Sequence, residues 1–433
     1  MSRSRSFRTG TEQETEHGAH LSPEVKNTIR LTLAFTKAVG ADQKDKADNL
    51  VVSPYNALAA LSMVAKGANG KTRDEMAEVL FGVKGKDLDA SAKSYVDLNE
   101  QVLAANKGSV ELTTANGIWV NKKEITLDAT FAKDMKGEFK AEISEENFGK
   151  PTVDKINKWA GDNTKGLINE VLKELKPDDL AVLASALYFK GQWTHKFDKK
   201  LTEDKGYTQD GGAVSKTATM HQDFGRQQDF RIVQGKDFDA VALNYGEKDP
   251  KNGKNPTMRI VLVRPKDNSV SARDWLAAQS TGKVPAWLDA YAYQNATGSV
   301  ELPRLDIKQT FDLIPAMQDM GMKQAFTDAA DFSKMVTKDS GKLKIGKISH
   351  DTVFKTDEEG SEAAAVTVVG MRRSASIPQP IPHLDVKFDR SFAFALQDIE
   401  TGAVLFMGAI NKPNDAMKPE AAAKKPKAAT RKR

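Results

Sequence analysis

The chain has 433 residues, 39% hydrophobic and 28% charged. That is enough apolar material for a large core, though no run approaches the roughly 18 to 20 consecutive apolar residues of a membrane helix. It has no cysteine, which excludes disulfides, thiol catalysis and thiolate metal sites. The net charge of +5 is concentrated at one end: residues 418–433 hold seven Lys or Arg and one Glu, net +6, leaving −1 for the rest. A basic nucleic-acid groove in the folded part is therefore disfavoured.

In chain order, residues 1–21 read as a polar, disordered N-terminus. The first twenty lack the apolar stretch of a secretory signal, so export by the usual route is not expected. Length alone suggests two or three domains, yet residues 22–413 show no low-complexity linker, repeat or break in composition, and read as one unit. Ser22-Pro23-Glu24 is a helix start with Ser as N-cap, followed by Val25, Ile29 and Leu33 at helical spacing. Asn49–Val52 is a short strand and Pro54–Lys66 a helix closed by Gly67. Thr113–Val120, Leu180–Phe189, Arg259–Val263, Phe392–Gln397 and Leu405–Ile410 are strand-like. Asp312–Met320 reads as a helix ending at Gly321. Helices early and strands late, without regular alternation, predict an α+β fold. Residues 414–433, mostly Ala, Lys and Pro, are too poor in large apolar groups to fold. They read as a solubilising tail or as a weak polyanion binder.

Several catalytic signals fail on inspection. Gly67-Ala68-Asn69-Gly70-Lys71-Thr72 follows a helix, and position 65, where a phosphate loop needs Gly, is Ala. There is no Gly-x-Ser-x-Gly elbow. The six histidines, at 17, 20, 195, 221, 350 and 383, form no His-x-x-x-His metal pair. No enzyme, metal or cofactor is expected.

The most unusual stretch runs from Asp357 to Pro382. Two acids precede Gly360, a residue free to take positive φ. Read as a strand, Ser361, Ala363, Ala365, Thr367, Val369 and Met371 share one face, with Glu362, Ala364, Val366 and Val368 on the other. Arg372-Arg373-Ser374-Ala375 is basic and protease-accessible, and Ser376–Pro382 favours extended polyproline geometry. On pattern alone this could be an ordinary surface loop after a strand.

Motifs across residues 22–413 resemble those of the serpin family, in the family's order. Asn49–Pro54 and Gly67–Thr72 are similar to its early strand, second helix and turn. Ala186-Leu187-Tyr188-Phe189-Lys190-Gly191-Gln192-Trp193 is close to a near-unique signature. Leu302-Pro303-Arg304, Asp331-Phe332-Ser333, and Phe406-Met407-Gly408 with Pro413 match the later ones. Glu359-Gly360-Ser361-Glu362-Ala363-Ala364-Ala365 with Thr367 resembles the hinge of inhibitory members. The chain is thus identified as an inhibitory serpin of prokaryotic kind.

The resemblance implies three β-sheets, about nine helices and an exposed reactive loop. It implies a monomeric, one-use inhibitor of serine, sometimes cysteine, endopeptidases. Cleavage of the loop forms an acyl-enzyme, and the freed hinge inserts into the main sheet as a new strand. A non-inhibitory carrier or chaperone is the alternative, disfavoured by a hinge free of bulky or Pro residues before Arg372. Members often work outside cells, which leaves the compartment open; no membrane partner is expected. The scissile bond is Ser374-Ala375 by family spacing, or Arg373-Ser374 by the chemistry of a trypsin-like pocket, with Arg372 a lesser candidate; Ser374 would suit elastase- or subtilisin-like targets. The stretch from Gly360 to Phe388 is several residues longer than usual, with the excess placed after the scissile bond. A latch of Glu358, Arg304 and Trp193 is expected at the top of the sheet, unless Glu358 and Arg304 form a plain surface pair. A polar cluster of Ser53, Asn56, Ser185 and His350 is expected beneath it. The family usually has Ser where Asn56 stands and Asn where Ser185 stands; the exchange is either complementary or two unrelated changes.

Overall fold

The computed structural model describes residues 17–175, 179–226, 229–247, 255–339, 343–361 and 381–414. The chain opens with α1 (Pro23–Asp42), β1 (Leu50–Val52), α2 (Pro54–Gly67), α3 (Gly70–Phe81) and α4 (Leu88–Asn106). There follow β2 (Glu111–Asn121), β3 (Ile125–Leu127), α5 (Ala129–Glu138), β4 (Glu142–Glu146), α6 (Lys150–Asn163) and β5 (Ala181–Gln192). Next come β6 (Glu203–Thr208), β7 (Val214–Phe224), β8 (Arg231–Gln234), β9 (Phe238–Asn244), β10 (Met258–Pro265) and α7 (Ala272–Ala277). The remainder comprises β11 (Gln294–Asn295), β12 (Thr297–Pro303), β13 (Leu305–Asp312), α8 (Ile314–Asp319), β14 (Val336–Asp339), β15 (Ser349–Thr356), β16 (Gly360–Ser361), β17 (His383–Lys387), β18 (Phe392–Asp398) and β19 (Val404–Ile410).

Local chemistry accounts for the boundaries. Ser22 caps α1, its hydroxyl accepting from the Val25 amide. α2 runs one residue past the predicted Lys66. Gly67 is not a left-handed cap but a packing residue, because a Cβ there would stand 2.6 Å from Met335 Cβ. The helix predicted over 312–320 shortens to α8: Asp312 is still paired in β13, and its carboxylate accepts from the Ile314 amide at 3.1 Å. Gly321, at φ +112°, closes that helix.

α2 is buried on every side except at Lys66, the mark of a helix inside the core. It packs on β19, which is wholly buried, as is its neighbour β18. These belong to a seven-stranded sheet, β1-β19-β18-β10-β9-β8-β11. A second, four-stranded sheet runs β17-β12-β7-β6, and β3 with β14 forms a small ribbon.

The third sheet is divided along its length. One part is β16-β5-β2-β4 and the other is β13-β15. Among the described residues no ladder joins β5 to β15. Strand pairing among those residues links them only through β16, at one end, by Gly360↔Gln192 and Ser361↔Gly191 on β5 and the Asp357↔Gly360 bridge just past β15. The expected three sheets are thus recognisable, the third parted in the middle. Eight α-helices are present among the described residues, where about nine were expected.

The described chain begins before the expected boundary at residue 21. Gly18 is buried, and buried Asp289 accepts its amide at 2.9 Å, while Ala19 and His20 are exposed.

Candidate functional site

The parted sheet leaves two clefts between β5 and β15. The lower, of about 470 Å³, is walled by Ala181–Ala186 of β5 and by Ser349 and Asp351 of β15, with Ile156 and Trp159 of α6 lying across it. The upper, of about 610 Å³, lies between Leu187–Phe189 and Val353–Glu358, with Arg304 at its mouth. Among the described residues β15 pairs on one edge only, with β13, and β5 pairs with β2 on one edge and just two residues of β16 on the other. Facing strand edges of this kind offer backbone donors and acceptors to an added strand.

At the upper end the chain leaves β15, turns through Asp357–Glu359, and starts β16 between β15 and β5. The turn requires Gly360. Its φ is +133°, and a Cβ would stand 2.2 Å from the Gly191 carbonyl oxygen, a combination open only to glycine.

Glu358 and Arg304 meet here in a forked pair. Arg304 Nε donates to both carboxylate oxygens at 3.0 Å and Nη2 to Oε1 at 2.6 Å. Thr202 adds a hydroxyl donor to Oε1. Glu358 is 1% exposed and Arg304 45%, so this is a buried carboxylate held by a half-exposed cation, not a plain surface pair. Burial pushes the Glu358 carboxyl up, but the hydrogen bonds from Arg304 and Thr202 outweigh it and hold the group below its ordinary range. The bonds to Glu358 in turn raise Arg304.

Trp193 locks the backbone of the turn. Its indole Nε1 donates to the Asp357 carbonyl at 2.7 Å and its amide to Glu359 at 2.9 Å. The ring is buried and stacks on Tyr245 with centroids 4.4 Å apart. Glu359 in turn takes Lys196 at 2.9 Å and Lys199 at 3.1 Å. Thr202, Lys196 and Lys199 were not anticipated. They follow Trp193 within nine residues, and only the path of the chain after β5 brings them to the turn.

Below, at the base of the lower cleft, the polar cluster assembles around the start of α2. Ser53 Oγ accepts the Asn56 amide as helix cap and donates to the Leu405 carbonyl. The Ser53 amide donates to His350 Nε2 at 2.9 Å, which places the imidazole proton on Nδ1. Burial holds His350 down, to about 4, so the ring is neutral. Asn56 and Ser185 bond one another twice: Asn56 Nδ2 donates to the Ser185 carbonyl at 3.0 Å, and Ser185 Oγ donates to Asn56 Oδ1. Asn116 of β2, another residue that sequence reasoning missed, stands 2.9 Å from the same hydroxyl. Its only local signal was an Asn-Gly pair inside a strand. All four predicted cluster residues come together, although His350 bonds Ser53 and not the Asn56–Ser185 pair.

The other predicted site residues, Glu362, Ala363, Ala364, Ala365, Thr367, Arg372, Arg373, Ser374 and Ala375, lie outside the described residues.

A family model described as Serpin (serine protease inhibitor) matches residues 26–413. Serpin-Z3 of Arabidopsis thaliana is 28% identical over 410 residues, covering 91% of this chain and 99% of the relative. Among solved structures, the thermophilic serpin tengpin in its native state superposes with a TM-score of 0.76 at 25% identity, over 90% of this chain and 94% of that one. Human thyroxine-binding globulin, solved in complex with thyroxine, superposes with a TM-score of 0.74 at 24% identity, over 90% of this chain and all of that one.

Proposed function

The chain belongs to the serpin family, a family of serine protease inhibitors, and from that membership we propose that it inhibits serine or cysteine endopeptidases irreversibly, once per molecule. The supporting observation is the pair of facing edges on β5 and β15, with β16 already started between them at Gly360 and Ser361. The protease attacks a peptide bond in the loop after β16 with its nucleophile, releasing the C-terminal side and keeping an ester or thioester to the N-terminal side. The freed segment then extends β16 down the opening. About 14 residues at roughly 3.3 Å each carry the attached protease about 45 Å before hydrolysis completes. New strand pairing and burial of the Ser361, Ala363, Ala365 and Thr367 face drive the step, so the uncut state is metastable. Small side chains on that face suit a strand that must slide under α6.

The hinge is Glu358 to Ala365 with Thr367. The bait is Arg373-Ser374 for a trypsin-like target, whose pocket acid pairs with Arg, or Ser374-Ala375 for an elastase- or subtilisin-like one. The test is incubation with a protease panel. A complex that survives boiling in detergent supports the reading; clean cleavage by every protease, with no such complex, overturns it.

The likeness to thyroxine-binding globulin favours a second reading, a non-inhibitory carrier. That reading requires cleavage without trapping, together with saturable binding of a small hydrophobic ligand.

A further inference from the structure

Two short motifs that take no part in the parted sheet meet at the turn between α2 and α3. Asn69-Gly70 stands in that turn, and Asp331-Phe332-Ser333 lies against it. The Asn69 amide donates to the Asp331 carbonyl at 2.9 Å, the Asp331 amide to Thr72 Oγ1 at 2.9 Å, and the Lys334 amide to the Gly67 carbonyl at 3.2 Å. These bonds hold the backbone of the turn and leave out the Asn69 side chain. Asn69 is the N-cap residue of α3, yet its side chain makes no capping hydrogen bond, and the residue is exposed.

The next amide, that of Gly70, is among the first of α3, which have no acceptor within the helix. Gly70 has φ +50°, and beyond its own helix and neighbours a Cβ there would meet only Asp331 Oδ2 among the described residues, at 4.0 Å. An exposed, uncommitted side-chain amide thus adjoins an uncrowded backbone nitrogen. Asn116-Gly117 lacks both freedoms. Asn116 is 8% exposed and its Oδ1 stands 2.9 Å from the Ser185 hydroxyl, while Asn116 and Gly117 pair with Ser185 and Ala184 across β2 and β5. A third such pair, Asn252-Gly253, lies outside the described residues.

We propose that Asn69 is a site of self-modification: its side chain cyclises with Gly70 to a succinimide, which opens to aspartate or isoaspartate. The Gly70 nitrogen gives up its proton and attacks Asn69 Cγ. The new C–N bond forms, the Cγ–Nδ2 bond breaks, and the side-chain nitrogen leaves with that proton as ammonia. Water then opens the ring, giving aspartate by attack at Cγ and isoaspartate by attack at the main-chain carbonyl carbon. The isoaspartyl product runs its backbone through Cβ and Cγ. It removes from the backbone the Asn69 carbonyl that accepts the Arg73 amide at 3.2 Å, so the start of α3 loosens.

The test is incubation of the full chain at mildly alkaline pH, read by peptide mass spectrometry and by labelling with an isoaspartyl methyltransferase. In the folded chain Asn69 should convert at least about tenfold faster than Asn116, whose reaction waits on the opening of β2 from β5. In concentrated urea, which removes both environments, the two rates should converge. Equal rates in the folded chain overturn the proposal, because the fold then confers no selectivity. So does conversion of Asn69 without isoaspartate, which would mean direct hydrolysis of the side chain and no ring.

Discussion

Asn56 and Ser185 are bonded twice across the base of the parted sheet, side chain to backbone in one direction and side chain to side chain in the other. Asn56 sits in the first turn of α2 and Ser185 in β5, 129 residues apart. If the family's usual pair is Ser and Asn, as the resemblance implies, this chain carries the two exchanged, and the pair still closes. The geometry supports the complementary reading of the exchange, which a double-mutant cycle tests. Asn56→Ser alone leaves two hydroxyls unable to span the gap, and Ser185→Asn alone sets two amides against each other. Each single change should cost about 1–3 kcal/mol of stability, the range for a buried polar group left without its partner. The double exchange should recover most of that loss. Additive shifts in thermal unfolding would refute the coupling.

Removing the Glu358 carboxylate should release the turn that starts β16. Glu358→Ala deletes hydrogen bonds from Arg304 and Thr202, worth about 1–2 kcal/mol given that Arg304 is half exposed to screening solvent. Spontaneous insertion and polymerisation, followed by native gel electrophoresis after mild heating, should accelerate. If they do not, the pair is no latch.

The same carboxylate carries a pH signature. Its native value lies below the ordinary 4.5, so the unfolded state binds a proton first as pH falls. The pair's contribution is complete above about pH 4.5 and is lost as pH falls through the lowered native value. The melting temperature of Glu358→Gln should therefore depend less steeply on pH below 4.5 than that of the parent chain. Parallel profiles would count against a stabilising role for the charge.

His350 acts over a different window and through burial alone. Its native value is held at about 4, against an ordinary 6.5. Between those values the unfolded chain takes up the proton and the folded chain does not, so stability falls on acidification from about pH 6.5 to 4. The full loss is on the order of 3 kcal/mol. His350→Asn should flatten this limb of the pH–stability curve, measured by urea unfolding. An unchanged slope would show that other groups control it.

Gly360→Ala places a methyl group 2.2 Å from the Gly191 carbonyl oxygen, in a backbone conformation reserved for glycine. The turn should shift away from β5, and the Trp193 amide, which donates to Glu359, should exchange with deuterium at least about tenfold faster, as expected for an opened local structure. Retained protection would mean that the turn accommodates the methyl group.

The bait is decided by the fragment a target protease releases. A C-terminal fragment starting at Ser374 supports a trypsin-like target, and one starting at Ala375 supports an elastase-like one. Arg373→Ala should abolish the stable complex with trypsin-like proteases and spare the others; an unchanged profile would remove Arg373 from the site.

What the sequence determined by itself is the set of elements whose cause is local. Ser22 and Pro23 set the start of α1, the apolar runs of β18 and β19 mark buried strands, and the order of short motifs named the family. Through the family resemblance, and not through any spacing of their own, it also supplied Glu358, Arg304, Trp193, Ser53, Asn56, Ser185 and His350 as partners. Its glycine reading failed at Gly67, since the neighbour that excludes a side chain there, Met335, is 268 residues away. The parting of β5 from β15 depends on backbone pairing between strands more than 150 residues apart, which no local pattern encodes. The burial of Glu358 and the arrival of Thr202, Lys196 and Asn116 have the same origin. A carboxylate's solvation and a hydroxyl's partner are properties of the space around them, and only the folded chain creates that space.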